Sequence, residues 1–144
     1  MPIYIDTSAL VKRYFSEPGS NAFDAFLQSC EENCVISSLG STEFESMLQR
    51  LKRQGLIDNA YAEQARSDFL SDLNAALWSV HAFAPATFAR AAELMRTLIA
   101  PLATLDAIHL ASAIEFRCDR IATSDRQLFR AASERGLTVH DFSD

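Results

Sequence analysis

Short runs of β-forming residues alternate along this chain with longer segments of helical periodicity. That alternation restricts the fold to the α/β class, with a mainly parallel sheet. Five runs read as strands, near residues 2–6, 34–37, 78–83, 120–123 and 137–140. Helical patterns are expected over Ser8–Phe15, Asn21–Ser29, Ser41–Gln54, Asp58–Leu73, Pro85–Ile99, Thr104–Phe116 and Asp125–Glu134. Glu17-Pro18-Gly19-Ser20 is a turn, because Pro and Gly sit poorly inside a helix, and Gly55 stops the helix carrying the stripe Phe44, Met47, Leu48 and Leu51. Right-handed crossovers then place helices on both faces of the sheet, giving three layers. With 144 residues, no internal repeat and no long linker, one domain is expected across 1–144. In such sheets the binding crevice lies outside the carboxyl ends of the strands.

Four acids fall near that crevice. Asp6 closes the first strand in Ile5-Asp6-Thr7-Ser8, and Asp125 follows the fourth in Thr123-Ser124-Asp125-Arg126. Each also reads as a helix N-cap, since an Asp side chain accepts hydrogen bonds from exposed N–H groups. Asp106 lies near the start of a nearly all-apolar helix, where the helix dipole favours an acid. His109, three residues on, shares its face and reads as an orienting partner or a core histidine. Glu43 flanks the apolar stripe of its helix, with Glu45 on the other flank as its competitor. Together, four carboxylates without a cationic partner repel one another and raise at least one pKa. A hard divalent cation relieves that repulsion. Oxygen donors without Cys or His pairs suit Mg²⁺, or Mn²⁺, rather than zinc. Such clusters serve phosphoryl transfer, where the cation activates a water and neutralises phosphate charge.

The remaining composition sets the setting. No apolar run approaches the roughly 18–20 residues of a membrane span, and the N-terminus lacks the basic region of a signal peptide, so a cytoplasmic protein without a membrane partner is expected. Cys30, Cys34 and Cys118 are odd in number and lack a CxxC spacing, which reads as free thiols. The net charge of −6, from 13 basic and 19 acidic residues, by itself argues against a general nucleic-acid binder.

Four segments in order carry a resemblance that covers essentially the whole chain. They are Tyr4-Ile5-Asp6-Thr7-Ser8-Ala9-Leu10-Val11-Lys12 with its Glu17-Pro18-Gly19-Ser20 turn, Ser41-Thr42-Glu43, Leu105-Asp106-Ala107-Ile108-His109-Leu110-Ala111, and Ala122-Thr123-Ser124-Asp125-Arg126-Gln127-Leu128. The sequence resembles the PIN-domain ribonucleases, and most of all the VapC toxins of bacterial type II toxin–antitoxin pairs. The resemblance implies a PIN-like domain in which Asp6, Glu43, Asp106 and Asp125 form an acidic, metal-binding catalytic quartet. Ser8 and Thr123, with Ser124, would hold waters or carboxylates. It also implies a homodimer and a small VapB-like antitoxin whose C-terminal segment occupies the active-site groove.

The resulting expectation is a Mg²⁺-dependent endoribonuclease, with one cation or two, about 3.5–4 Å apart if two. Arg supplies 11 of the 13 basic residues, and its planar fork suits phosphate. Lys12 and Arg13 follow the first acid, and Arg126 and Arg130 the last, so these four are the expected RNA-binding residues, with a solvated helix face as the alternative. Phe15, Phe23 and Phe26 read as core or as a surface for the antitoxin. Competing readings are a DNA nuclease or small phosphohydrolase, a PIN-like nuclease that is not a toxin, an RNA-binding module that does not cut, and four acids that merely cap helices.

Overall fold

The computed structural model describes residues 1–144. Its strands are β1 (Ile3–Ile5), β2 (Cys34–Ser37), β3 (Ser79–His81), β4 (Arg120–Thr123) and β5 (Thr138–Asp141). They form one sheet in the order β3-β2-β1-β4-β5, and every pairing is parallel. Its α-helices are α1 (Thr7–Leu10), α2 (Ser20–Ser29), α3 (Ser38–Arg53), α4 (Asn59–Asn74), α5 (Pro85–Thr97), α6 (Thr104–Glu115) and α7 (Arg126–Glu134).

Both faces of the sheet are buried, which is why its inner strands are continuous apolar runs. Alternate side chains of β1 enter opposite layers. Ile3 and Ile5 pack with Leu10, Phe23, Ile36, Phe44 and Leu48. Tyr4 packs on the other side with Val35, Leu110, Ile121 and Leu128. Phe15 and Phe23 belong to the first of these cores and Phe26 packs against it, so none of the three is a free apolar surface. The three cysteines are free thiols, Cys34 and Cys118 buried and Cys30 half-buried.

Several boundaries differ from the sequence expectation. The helix expected over Ser8–Phe15 begins at Thr7 and tightens after Leu10 into a 3-10 turn, Val11–Arg13, ahead of the Pro18-Gly19 turn. Helix α3 leaves β2 without a loop and begins at Ser38 rather than Ser41. Ser and Gly are weak helix formers, which hides this start. Yet Gly40 is buried against Ile36 and Leu10, so packing holds the first turn. Glu43 therefore sits in the second turn of α3 and not the first. Strand β3 is shorter than expected and lies at the sheet edge, with Trp78 buried beside it and donating to the Tyr14 hydroxyl at 2.8 Å.

The topology positions the site. From central β1 the chain moves outward through β2 to β3, then returns to the other side of β1 for β4 and β5. The switch lies between β1 and β4, and their carboxyl ends open a crevice. The two ends are tied together there, with the Asp6 amide donating to the Ala122 carbonyl at 3.1 Å. The connection into α6 is fixed from behind by Glu134, whose carboxylate accepts the N–H groups of Ile99 at 2.8 Å and Ala100 at 2.9 Å. No helix is long and apolar enough to cross a membrane.

Candidate active site

Asp6 is the first residue past β1 and only 2% exposed. A buried carboxylate needs donors on both oxygens, and this one has them. Its Oδ1 accepts the Ser8 hydroxyl at 2.7 Å and the Ala9 amide at 3.0 Å, while its Oδ2 accepts the Thr123 hydroxyl at 2.8 Å. It is thus a helix cap and a rigidly held acid at once. Burial pushes its pKa up, against the pull of His109 and these donors. Thr123 and Ser124 join the β4 end to the same knot. The Asp125 amide donates to Thr123 Oγ1 at 3.0 Å, the Ser124 amide to Ser8 Oγ at 2.9 Å, and the Ser124 hydroxyl to the Ser8 carbonyl at 3.1 Å. Asp125 caps α7, its Oδ1 accepting the Gln127 and Leu128 amides at 2.8 and 3.1 Å.

Glu43 reaches in from α3. Its Oε1 accepts the Thr7 hydroxyl at 2.7 Å and His109 Nε2 at 2.6 Å. An ionised carboxylate only accepts, so Nε2 carries the hydrogen. The other ring nitrogen, Nδ1, lies 2.7 Å from the Tyr4 hydroxyl. Neutral His109 accepts there, and charged His109 donates to the same oxygen. Tyr4 is fully buried and His109 is 3% exposed, so Tyr4, His109 and Glu43 form a chain from the sheet core to the crevice. Burial would raise the Glu43 pKa and lower that of His109. The bond between them and the neighbouring charges outweigh burial, so Glu43 is held below its usual value and His109 above.

Asp106, in the first turn of α6, has the least support: no hydrogen-bond donor reaches its carboxylate. Burial first, then the negative charges of Asp125, Asp6 and Glu43, push its pKa to about 6. All four acids line one open cleft of about 350 Å³, together with Ser8, His109, Ser46, Met47, Arg50 and Leu105. Their carboxylates are spread along it and no three converge into a ready-made ligand cluster.

The chemistry of the donor set fits a hard divalent cation: acidic oxygens lining one cleft, with both nitrogens of the single histidine already engaged. Asp6, Glu43 through its second oxygen, Asp106 and Asp125 are the residues able to hold it.

The expected RNA-binding residues separate. Lys12 is 5% exposed, with its ammonium turned onto Glu17 and the Pro18 carbonyl, so it does not line the cleft. Arg13 pairs with Asp72 at 2.7 Å in a separate cavity of about 430 Å³, where Tyr14 also donates to Asp72 at 2.6 Å. The 3-10 turn after α1 directs both away. Arg126 and Arg130 are exposed on α7 but do not line the cleft. Glu45, the competitor of Glu43, pairs outward with Arg66 at 2.7 Å. Sequence reasoning passes over Tyr4, Thr7 and Arg50. Helical spacing was the available signal for Arg50, which lies seven residues after Glu43 and so on its face.

A sequence model of the PIN domain matches residues 3–134. Ribonuclease VapC47 of Mycobacterium tuberculosis (strain CDC 1551 / Oshkosh) is 30% identical over an alignment of 142 residues that covers 95% of this chain and 94% of that protein. Among solved structures, FitAcB from Neisseria gonorrhoeae is similar with a TM-score of 0.70 and 20% identity, covering 96% of each chain. VapC20 from Mycobacterium tuberculosis, described as a sarcin–ricin-loop-cleaving toxin, gives a TM-score of 0.67 at 17% identity, covering 90% of this chain and 94% of that one. VapBC2 from Rickettsia felis, solved with a DNA fragment of its promoter, gives 0.66 at 17% identity over 98% of both chains. These structures share the three-layer fold with its five-stranded parallel sheet.

Proposed function

The chain belongs to the PIN-domain family, among the VapC-type ribonucleases, and from that premise we propose that it is a Mg²⁺-dependent endoribonuclease and the toxin of a type II toxin–antitoxin pair. The observation that carries this reading is that Asp6, Glu43, Asp106 and Asp125, from four separate elements, all line one cleft at the β1/β4 switch point.

The chain's own groups define the roles. Asp6 is fixed by three donors and presents a rigidly held carboxyl group to the cleft. Thr7 and His109 both engage Glu43 Oε1, which aims Oε2 at the cleft. Asp125 is anchored by the α7 amides through one oxygen and keeps the other free. A bound divalent cation would supply charge neutralisation at phosphorus and a more acidic water. The scissile phosphodiester is oriented so that water attacks phosphorus in line. A new P–O bond forms, the bond to the 3′-oxygen breaks, and that oxygen takes a proton. The products are a 5′-phosphate and a 3′-hydroxyl.

The partners follow from the same reading: an RNA substrate, a second copy of the chain, and a VapB-like antitoxin that covers the cleft. VapBC2 is a complex by its own description, which supports an antitoxin here. The test is cleavage of structured RNA by wild type and Asp6→Asn, with Mg²⁺ and with excess EDTA. Cutting by wild type in Mg²⁺ alone is the expected result. Undiminished cutting by Asp6→Asn, or cutting in EDTA, overturns the proposal.

A further inference from the structure

Five of the 13 Lys and Arg side chains, Lys12 among them, pair with carboxylates of the chain itself. Arg13 pairs with Asp72, Arg66 with Glu45 and Glu63, Arg90 with Glu115, and Arg120 with Glu32. Arg50 is different. It lines the cleft that holds four acids, yet no carboxylate of the chain pairs with it. It lies two helical turns beyond Glu43 on α3, which is about 10 Å along the helix axis, and it is exposed. Met47, on the turn between them, and Leu105, beside Asp106, give the same cleft its two apolar lining side chains.

An unpaired guanidinium at the rim of an acidic cleft is free to receive an anion from outside. Resting on the ribonuclease reading, we propose that Arg50 is a substrate-positioning residue that grips a phosphate of the RNA backbone next to the scissile linkage. Its planar fork donates two parallel hydrogen bonds to phosphate oxygens, and a lysine would supply only the charge. The adjoining ribose and base lie along Met47 and Leu105. Arg50 thus fixes how far the strand is drawn past the four acids and does not take part in bond breaking. The function that the sequence assigned to Lys12 and Arg13 passes to α3.

The experiment compares wild type, Arg50→Gln and Arg50→Lys in Mg²⁺, using a 5′-labelled single-stranded RNA of mixed sequence. It measures kcat and KM over a salt series. Gln and Lys are good helix formers and the position is exposed, so α3 persists; equal melting temperatures confirm this. Arg50→Gln is expected to raise KM about tenfold with kcat within about twofold, and to reduce the salt slope by about 0.7, the contribution of one single-strand phosphate contact. Arg50→Lys keeps the slope and shows an intermediate KM. Wild-type cleavage with KM and slope unchanged in Arg50→Gln overturns the proposal and leaves the ribonuclease reading intact. So does a loss confined to kcat, which would place Arg50 on the acids rather than on RNA. Failure of wild type itself to cut the RNA overturns the ribonuclease reading, and this inference with it.

Discussion

Asp106 is the residue at which the cleft is least stable. Asp6, Glu43 and Asp125 each accept at least two hydrogen bonds, and Asp106 accepts none. Its pKa rises from 3.8 to about 6 through burial and the charges of Asp125, Asp6 and Glu43. The native state therefore binds the proton more tightly than the unfolded chain. In a chelator, the contribution of Asp106 to stability is expected to fall as pH rises from 3.8 to about 6, and to stay lost above it. Asp106→Asn removes the loss. Because the side chain is half exposed, solvent screening reduces the gain to about 1 kcal/mol or less, a rise of about 2–4 °C in melting temperature at neutral pH. A simple helix-dipole acid predicts the opposite sign, a loss of about 0.3–1 kcal/mol. Thermal denaturation of both proteins in EDTA across that pH range distinguishes the two. Saturating Mg²⁺ then stabilises wild type and leaves Asp106→Asn nearly unmoved. Tyr4 gives a second residue-scale prediction. Tyr4→Phe keeps the ring in its core and leaves Nδ1 of buried His109 without a partner, at a cost of about 1–3 kcal/mol. It also loosens Glu43, so the Mg²⁺ concentration for half-maximal cleavage rises, which a metal titration of activity measures.

At the scale of elements, the Glu17–Ser20 turn is where the fold is least forgiving. Gly19 has φ near +90°, and a Cβ there would overlap the Phe142 carbonyl oxygen near the C-terminus. Gly19→Ala is expected to cost about 2–4 kcal/mol, from the left-handed backbone and the clash together. Urea denaturation checks this, with Gly55→Ala as the control, since that residue shares a positive φ but meets nothing. The same contrast explains which elements the sequence reveals. β2 and β4 are found at their observed limits because both faces are buried and both runs end in polar residues. β3 and β5 lie at the sheet edges, where partly exposed side chains blur the pattern, and their limits drift. The four acids are legible because strand ends and helix starts carry local signals. The Tyr4–His109–Glu43 chain is not, since residues 4 and 109 meet only through the β1–α6 packing of a long-range fold. Lys12 and Arg13 mislead because sequence proximity to Asp6 does not reveal the 3-10 turn that redirects them.

At the scale of the whole molecule, the net charge of −6 takes on a different meaning. Four of those charges belong to the cleft acids, which leaves −2 for the rest of the chain. The acidic balance therefore reflects the site rather than a surface that repels nucleic acid everywhere. A phosphodiester approaching the bare cleft meets the four carboxylates that line it, and charges within a Debye length of it, about 8 Å at physiological ionic strength, act with little screening. The same approach with divalent cations present meets a neutralised cleft and the free guanidinium of Arg50. Affinity for RNA should thus depend on the divalent cation even where no bond is cut. The prediction has a crossover that a structural role cannot mimic. In EDTA, Asp106→Asn binds labelled single-stranded RNA more tightly than wild type, by about two- to tenfold, because one repulsive charge of about 0.5–1.4 kcal/mol is gone. On the proposed reading the order reverses in Mg²⁺, because the variant lacks one of the acids assigned to the cation. Fluorescence anisotropy in the two buffers measures both affinities. If the variant and wild type keep the same order in both, the cleft charge does not govern RNA binding, and the net charge regains its first meaning as a barrier to nucleic acid.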